Sequence, residues 1–191
     1  LRLFVFEFVV VVAGVLVAQA LAGWVQSRGD QAEGQRPLAD ATAEALTLQR
    51  DLNFWHRFGP CLREHVVTIS RTAAEGGTMT DRQIGRPALP GIALRQFSAD
   101  DWRKMRSVAP TDRADALLML SGAAATYNDF IADTAHQWPT LRLIDVAMGP
   151  ASSEDRSRVR LAAATIDNNL RWMMFQHATN IGGAVQRAGL A

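Results

Sequence analysis

From Leu3 to Val25 every position is apolar except Glu7 and Gln19. No polar face interrupts the run. A helix of this length covers about 34 Å at ~1.5 Å per residue, enough for the roughly 30 Å hydrocarbon core of a bilayer. The pattern therefore predicts a transmembrane anchor over residues 1–27. A cleaved signal peptide is the rival, since Ala18-Gln19-Ala20 fits a small-x-small cleavage site and the core from Phe8 to Ala18 has the length of an h-region. Against it, the basic n-region is Arg2 alone, and Glu7 sits where such a peptide is purely apolar.

After the anchor the pattern changes. Gly29 and Gly34 among polar residues predict a linker over 28–36, and Pro37 suits the first turn of a helix. Leu38, Ala41, Ala45, Leu48, Leu52 and Trp55 then open a three-four spacing that continues through Gly59, Leu62, Val66 and Ile69 to Ala73. This predicts one long helix, kinked or interrupted at Pro60 and ended by Glu75-Gly76-Gly77. Residues 76–97, rich in Gly and Pro, carry neither helical nor strand periodicity and predict a long loop, packed or mobile. Ser98 with Asp101 reads as a capping box for a short helix to about Val108. Thr111 is placed to cap a further helix along Leu117, Leu120, Ala124, Tyr127 and Ile131, ending before Pro139. After the turn at Gly149-Pro150, Ser152 with Asp155 opens a last long helix through Val159, Ile166 and Leu170 to Gly182-Gly183. No segment alternates as a strand does. The fold class expected is all-α: a single N-terminal transmembrane helix followed, over 37–191, by a helical bundle of about three long helices, short helices and a long loop.

One line along the anchor carries candidate chemistry. At about 100° per residue, Glu7, Val11, Gly14, Ala18 and Val25 fall within roughly 20° of one direction, with Ala22 beside it. Helices in lipid associate through close backbone approach at small residues and through polar groups that find partners, and a carboxylate inside the span faces protein or water. Glu7, Val11, Gly14, Ala18 and Ala22 are therefore the expected partner-helix docking surface. The plainer reading is that Glu7 only reaches the headgroups and that Gly and Ala are common in spans. Gln19 points about 120° away, and Trp24 suits an interfacial anchor.

The spacing Glu7, Gly14, Ala18, Trp24 resembles the N-terminal span of a broad group of uncharacterised bacterial single-pass membrane proteins, over about twenty residues. The resemblance implies an N-terminus in the cytoplasm and a following domain in the periplasm, anchored in the inner membrane. It implies no activity, cofactor or site. The flanking arginines, Arg2 on one side and Arg28 and Arg36 on the other, do not decide orientation.

Composition narrows the function classes. Net charge is +1 over 191 residues with no concentrated basic run, which argues against nucleic acid as a partner. Arginine outnumbers lysine nineteen to one, a compositional bias and not a binding signature. A lone cysteine excludes an intramolecular disulfide. Cys61 and His65 stand at i and i+4, but no further ligands follow at a recognisable interval, so a buried thiol and a solvated or hydrogen-bonded histidine are expected and no metal. His56 lies too far along the helix to join them. His177 sits on the apolar line of the last helix, as a core histidine bonded to a carbonyl or to Asn180. Asp100-Asp101 reads as first-turn charge complementing a helix dipole. Trp55, Trp102, Trp138 and Trp172 are expected in core or subunit-interface packing. No nucleophile or phosphate-loop motif is present. The expectation is a non-catalytic accessory or scaffolding subunit without cofactors, held in a larger membrane complex of respiratory or photosynthetic kind. Its partners would be the lipid bilayer, other membrane subunits and, as an option, a second copy in a homo-oligomer. The alternative is a membrane-anchored sensor domain binding a small ligand, although its only other apolar run, Ala114 to Ala125, is too short for the second span such sensors use.

Overall fold

The computed structural model describes the backbone of residues 2–85, 87–93 and 95–190, and side-chain surroundings for the same residues except 2–10 and Asp30. The fold is all-α. Among the described residues the nearest thing to a sheet is an isolated parallel bridge between Met79 and Asp145. Helix α1 runs from Arg2 to Ala74 without a break. Its N-terminal part is long and apolar enough to cross a membrane, with mean hydropathy 1.2 over the most apolar window and none of that window buried.

The linker expected at 28–36 is helical, and so is the proline expected to open a new helix at 37. Pro37 and Pro60 lack the N–H that the carbonyls of Glu33 and His56 would receive. Packing outweighs these losses. Gly34, Leu38, Ala41, Leu48, Leu52, Trp55, Leu62, Val66 and Ile69 are buried on one continuous side of the helix. Gly34 is not a hinge: a Cβ there would stand 2.7 Å from the Lys104 carbonyl oxygen and 2.7 Å from Val108 Cγ1, so the glycine lets another helix come close. The end of α1 is as the sequence predicts. Gly76 takes φ +79 and Gly77 N–H returns to the Thr72 carbonyl at 2.9 Å.

The loop over 76–97 is packed, and it holds a short helix, α2 (Asp81–Ile84), opened by a Thr80/Gln83 capping box. Ile84 and Ile92 are buried. The Asn128 side-chain amide clasps Ile92 from both sides, its Oδ1 accepting from the Ile92 N–H at 2.7 Å and its Nδ2 donating to the Ile92 carbonyl at 2.8 Å. Trp138, 1% exposed, donates from Nε1 to the Gly85 carbonyl at 2.7 Å.

The short helix α3 (Ala99–Val108) opens with the expected Ser98/Asp101 box. Helix α4 (Thr111–Gln137) begins one residue earlier than a Thr111 cap requires: Pro110 occupies the cap position without a side-chain bond, and Thr111 is already helical. A 3₁₀ turn over Trp138–Ile144 follows, and then α5 (Ser153–Gln176) with the expected Ser152/Asp155 box. The chain does not stop at Gly182-Gly183. It widens into one π turn (His177–Ile181) and continues as α6 (Gly182–Arg187). Gly182 is helical, with φ −57, whereas Gly189 has φ +72 and Leu190 N–H returns to the Val185 carbonyl at 3.1 Å, so Gly189 is the stop.

Helix α4 runs alongside α1, with Arg113 near Thr42 at its start. Helix α5 runs back antiparallel to α1: Arg63 meets Asp167, Gly59 meets Met174, and His177 meets Asn53. One core joins them. Leu52 and Val66 of α1, Leu120 and Tyr127 of α4, and Ile166 and Leu170 of α5 all lie within it. The Tyr127 hydroxyl donates to the Met173 carbonyl, and burial pushes its phenol above the ordinary range.

Candidate docking face

Because α1 is continuous from the apolar segment into the bundle, its geometry relates the two. Taking about 100° per residue, Gly14, Ala18 and Val25 project roughly opposite to Gly34, Leu38 and Ala45. The bundle thus grows from one side of α1, and the small-residue line lies on the other. Val11, Gly14, Ala18 and Ala22 are exposed, and a Cβ at Gly14 would meet nothing within 4 Å. The chain supplies nothing to cover that line among the described residues. Glu7, the remaining member of the expected docking set, has its side chain outside the described residues. Trp24, 53% exposed, has the Arg28 guanidinium 4.0 Å above its ring, an amphipathic pairing suited to a headgroup layer.

Further along, the same side of α1 carries a feature that the three-four core pattern hides. Leu46, Arg50, Phe54, Arg57, Phe58 and Cys61 border an open groove of about 700 Å³. Leu46 is 51% and Phe54 44% exposed, and Phe54 stacks on Phe58 with ring centroids 5.4 Å apart. The signal was present in the sequence as apolar residues lying off the core line, at 46, 54 and 58. Cys61 is exposed, not buried as the sequence suggested, because position 61 falls about 100° round the helix from Leu62.

Among the described residues the histidines belong to no metal-holding cluster. His65 Nε2 donates to the Ile84 carbonyl at 2.9 Å and its ring lies over Trp138. His177 is half-buried and bonds to Asn53 instead of Asn180, with Nε2 and Oδ1 3.0 Å apart. Burial, and secondarily the nearby His56, hold its pKa below the ordinary imidazole value. Asp101 serves the Ser98 cap and Asp100 pairs with Arg103 and Lys104 at 3.1 Å. Among the described residues no three His, Cys, Asp or Glu side chains are close enough together to hold a metal ion. Trp55 and Trp138 are in the core and Trp102 packs against it, whereas Trp172 is 47% exposed beside Phe175.

No protein-family model, curated protein or solved structure matches the chain.

Proposed function

We propose that the chain is a non-catalytic accessory or scaffolding subunit of a larger integral-membrane complex, of respiratory or photosynthetic kind. In this reading α1 crosses the inner membrane with its N-terminus in the cytoplasm and presents the bundle to the periplasm. The observation that carries it is the unbroken helical connection between one membrane-length segment and a bundle packed on its opposite side, which leaves the Val11, Gly14, Ala18, Ala22 line open to a neighbour. In lipid such a line is a site of close helix approach. The three capping boxes and the single core describe a domain built to hold a shape.

The test is mild-detergent extraction from native membranes, followed by native electrophoresis and mass spectrometry. Migration with a larger membrane protein is expected, and Gly14→Leu should release the chain by blocking backbone approach. A chain that migrates alone, unchanged by Gly14→Leu or Glu7→Leu, overturns the reading.

A further inference from the structure

The open face of α1 continues past the membrane. At about 100° per residue, Gly29, Ala32, Arg36 and Ala43 stay within about 60° of the line through Gly14, Ala18 and Val25, and Leu46, Arg50, Phe54 and Arg57 follow it upward. Every one of these residues is exposed, as is Cys61 at the upper end. From Gly29 to Cys61 the strip is about 48 Å long at ~1.5 Å per residue.

Its uncompensated charge has one sign among the described residues. Asp40 falls on the strip but is taken by the Arg95 guanidinium at 3.0 Å, and the flanking acids are taken as well, Glu33 by Lys104 at 3.1 Å and Glu44 by the Arg95 backbone N–H at 3.0 Å. The open face keeps Arg36, Arg50 and Arg57. Arg36 and Arg57 have no ion pair among the described residues, and Arg50 has only Asp51 at 3.6 Å with its own side chain 77% exposed. Between Arg50 and Arg57 the groove at Leu46, Phe54 and Phe58 offers an apolar seat. Aromatic residues and arginine around such a seat are the composition of interface cores.

We propose that this strip docks an acidic helix of a neighbouring membrane subunit, one that leaves the bilayer beside α1 and runs along it as far as Cys61. The inference rests on the subunit reading above and names the chemistry of its partner. A second copy is disfavoured by charge: parallel self-association about an axis along α1 would set Arg36, Arg50 and Arg57 against their own counterparts. Lipid headgroups are out of reach, since Arg50 stands about 38 Å beyond Val25 along the helix and a headgroup layer is only ~5–8 Å deep.

Cys61, the only cysteine of the chain, is an exposed natural handle at the end of the strip. In native membranes a benzophenone maleimide attached to Cys61 is photolysed; in a second arm benzoylphenylalanine is placed at Leu21, inside the span. Both arms should capture the same membrane protein, the Cys61 adduct should map to a peptide of net negative charge, and Arg50→Glu with Arg57→Glu should cut its yield about fivefold or more while Arg→Lys at both retains it. Circular dichroism checks that the exposed double variant keeps its helices. A Cys61 product that joins two copies of this chain, an adduct indifferent to charge reversal, or no Cys61 adduct at all overturns the proposal. Capture from Leu21 with none from Cys61 leaves the subunit reading standing while the strip proposal falls; capture from neither position removes both.

Discussion

His177 lies flat against His56, with ring centroids 4.1 Å apart and planes within 12° of parallel. The stack joins α1 to α5 at the point where α5 widens into its π turn, and the Asn53 side chain fixes the outer edge of the His177 ring. Burial, and secondarily the neighbouring His56, disfavour the charged form of His177.

Stability should therefore depend on pH through His177. In the unfolded chain His177 takes its proton near 6.5, whereas in the fold it resists protonation to lower pH. Below about pH 6.5 the unfolded state binds more protons, so stability falls with pH and levels off once the folded pKa is passed. Thermal melts of the detergent-solubilised chain should show Tm dropping between about pH 7 and 5, with a shallower drop in His177→Gln. An equally steep drop in that variant would assign the acid sensitivity to other groups.

Two glycines in one helix should respond oppositely to alanine. A Cβ at Gly29 would meet nothing within 4 Å, so Gly29→Ala should stabilise the helix by about 0.5–1 kcal/mol through backbone entropy and propensity. A Cβ at Gly34 would collide with the Lys104 carbonyl and with Val108, so Gly34→Ala should push α3 away and cost about 1–3 kcal/mol. Urea titrations of the two variants measure both signs. If residues 28–36 were a flexible linker, both substitutions would be nearly silent.

The Asn128 amide satisfies both polar groups of Ile92 at once and ties it to α4. Asn128→Ala should leave an N–H and a carbonyl without partners, at about 1–3 kcal/mol locally. Hydrogen exchange at Ile92 should accelerate, and limited proteolysis should cut within residues 87–93. Unchanged protection at Ile92 would mean that burial of its side chain alone holds the loop.

These contacts mark where the sequence stopped being legible. The helix starts at Ser98 and Ser152 were readable because a capping box is local, with both partners three residues apart. Thr80-x-x-Gln83 carries the same signal but was hidden by the glycines and prolines around it. Gly34 and Gly182-Gly183 misled for one reason: glycine marks a turn only where φ is positive or the helix has nothing to pack on, and neither holds there. The reason for Gly34 lies seventy residues away, in the Lys104 carbonyl. The core line from Leu38 to Ala73 was plain in the three-four spacing, whereas the exposed strip through Arg50 and Phe54 became visible only once the bundle was seen to cover the opposite side of α1.

Among the described residues, Asp167 is the carboxylate that pairs across α1 and α5 at mid-bundle. Its Oδ1 accepts from Arg63 Nε of α1 at 2.5 Å, and its Oδ2 pairs with Arg171 Nε one turn along α5 at 2.8 Å. Its side chain is 17% exposed, against 37% for Arg63 and 61% for Arg171. The two pairs should not be equal. Arg171 is well solvated and its pair spans a single helix turn, so Arg171→Ala should change stability by no more than about 0.5 kcal/mol. Asp167→Asn removes the charge that both guanidiniums share, and with solvent partly compensating Arg63 the loss should be about 1–2 kcal/mol. Arg63→Met in the Asp167→Asn background should then cost less than it does alone, because the charge it removes no longer has its partner. A double-mutant cycle by urea denaturation reads the coupling directly. Additive losses would show that Arg63 contributes through packing of its aliphatic stem and not through the ion pair.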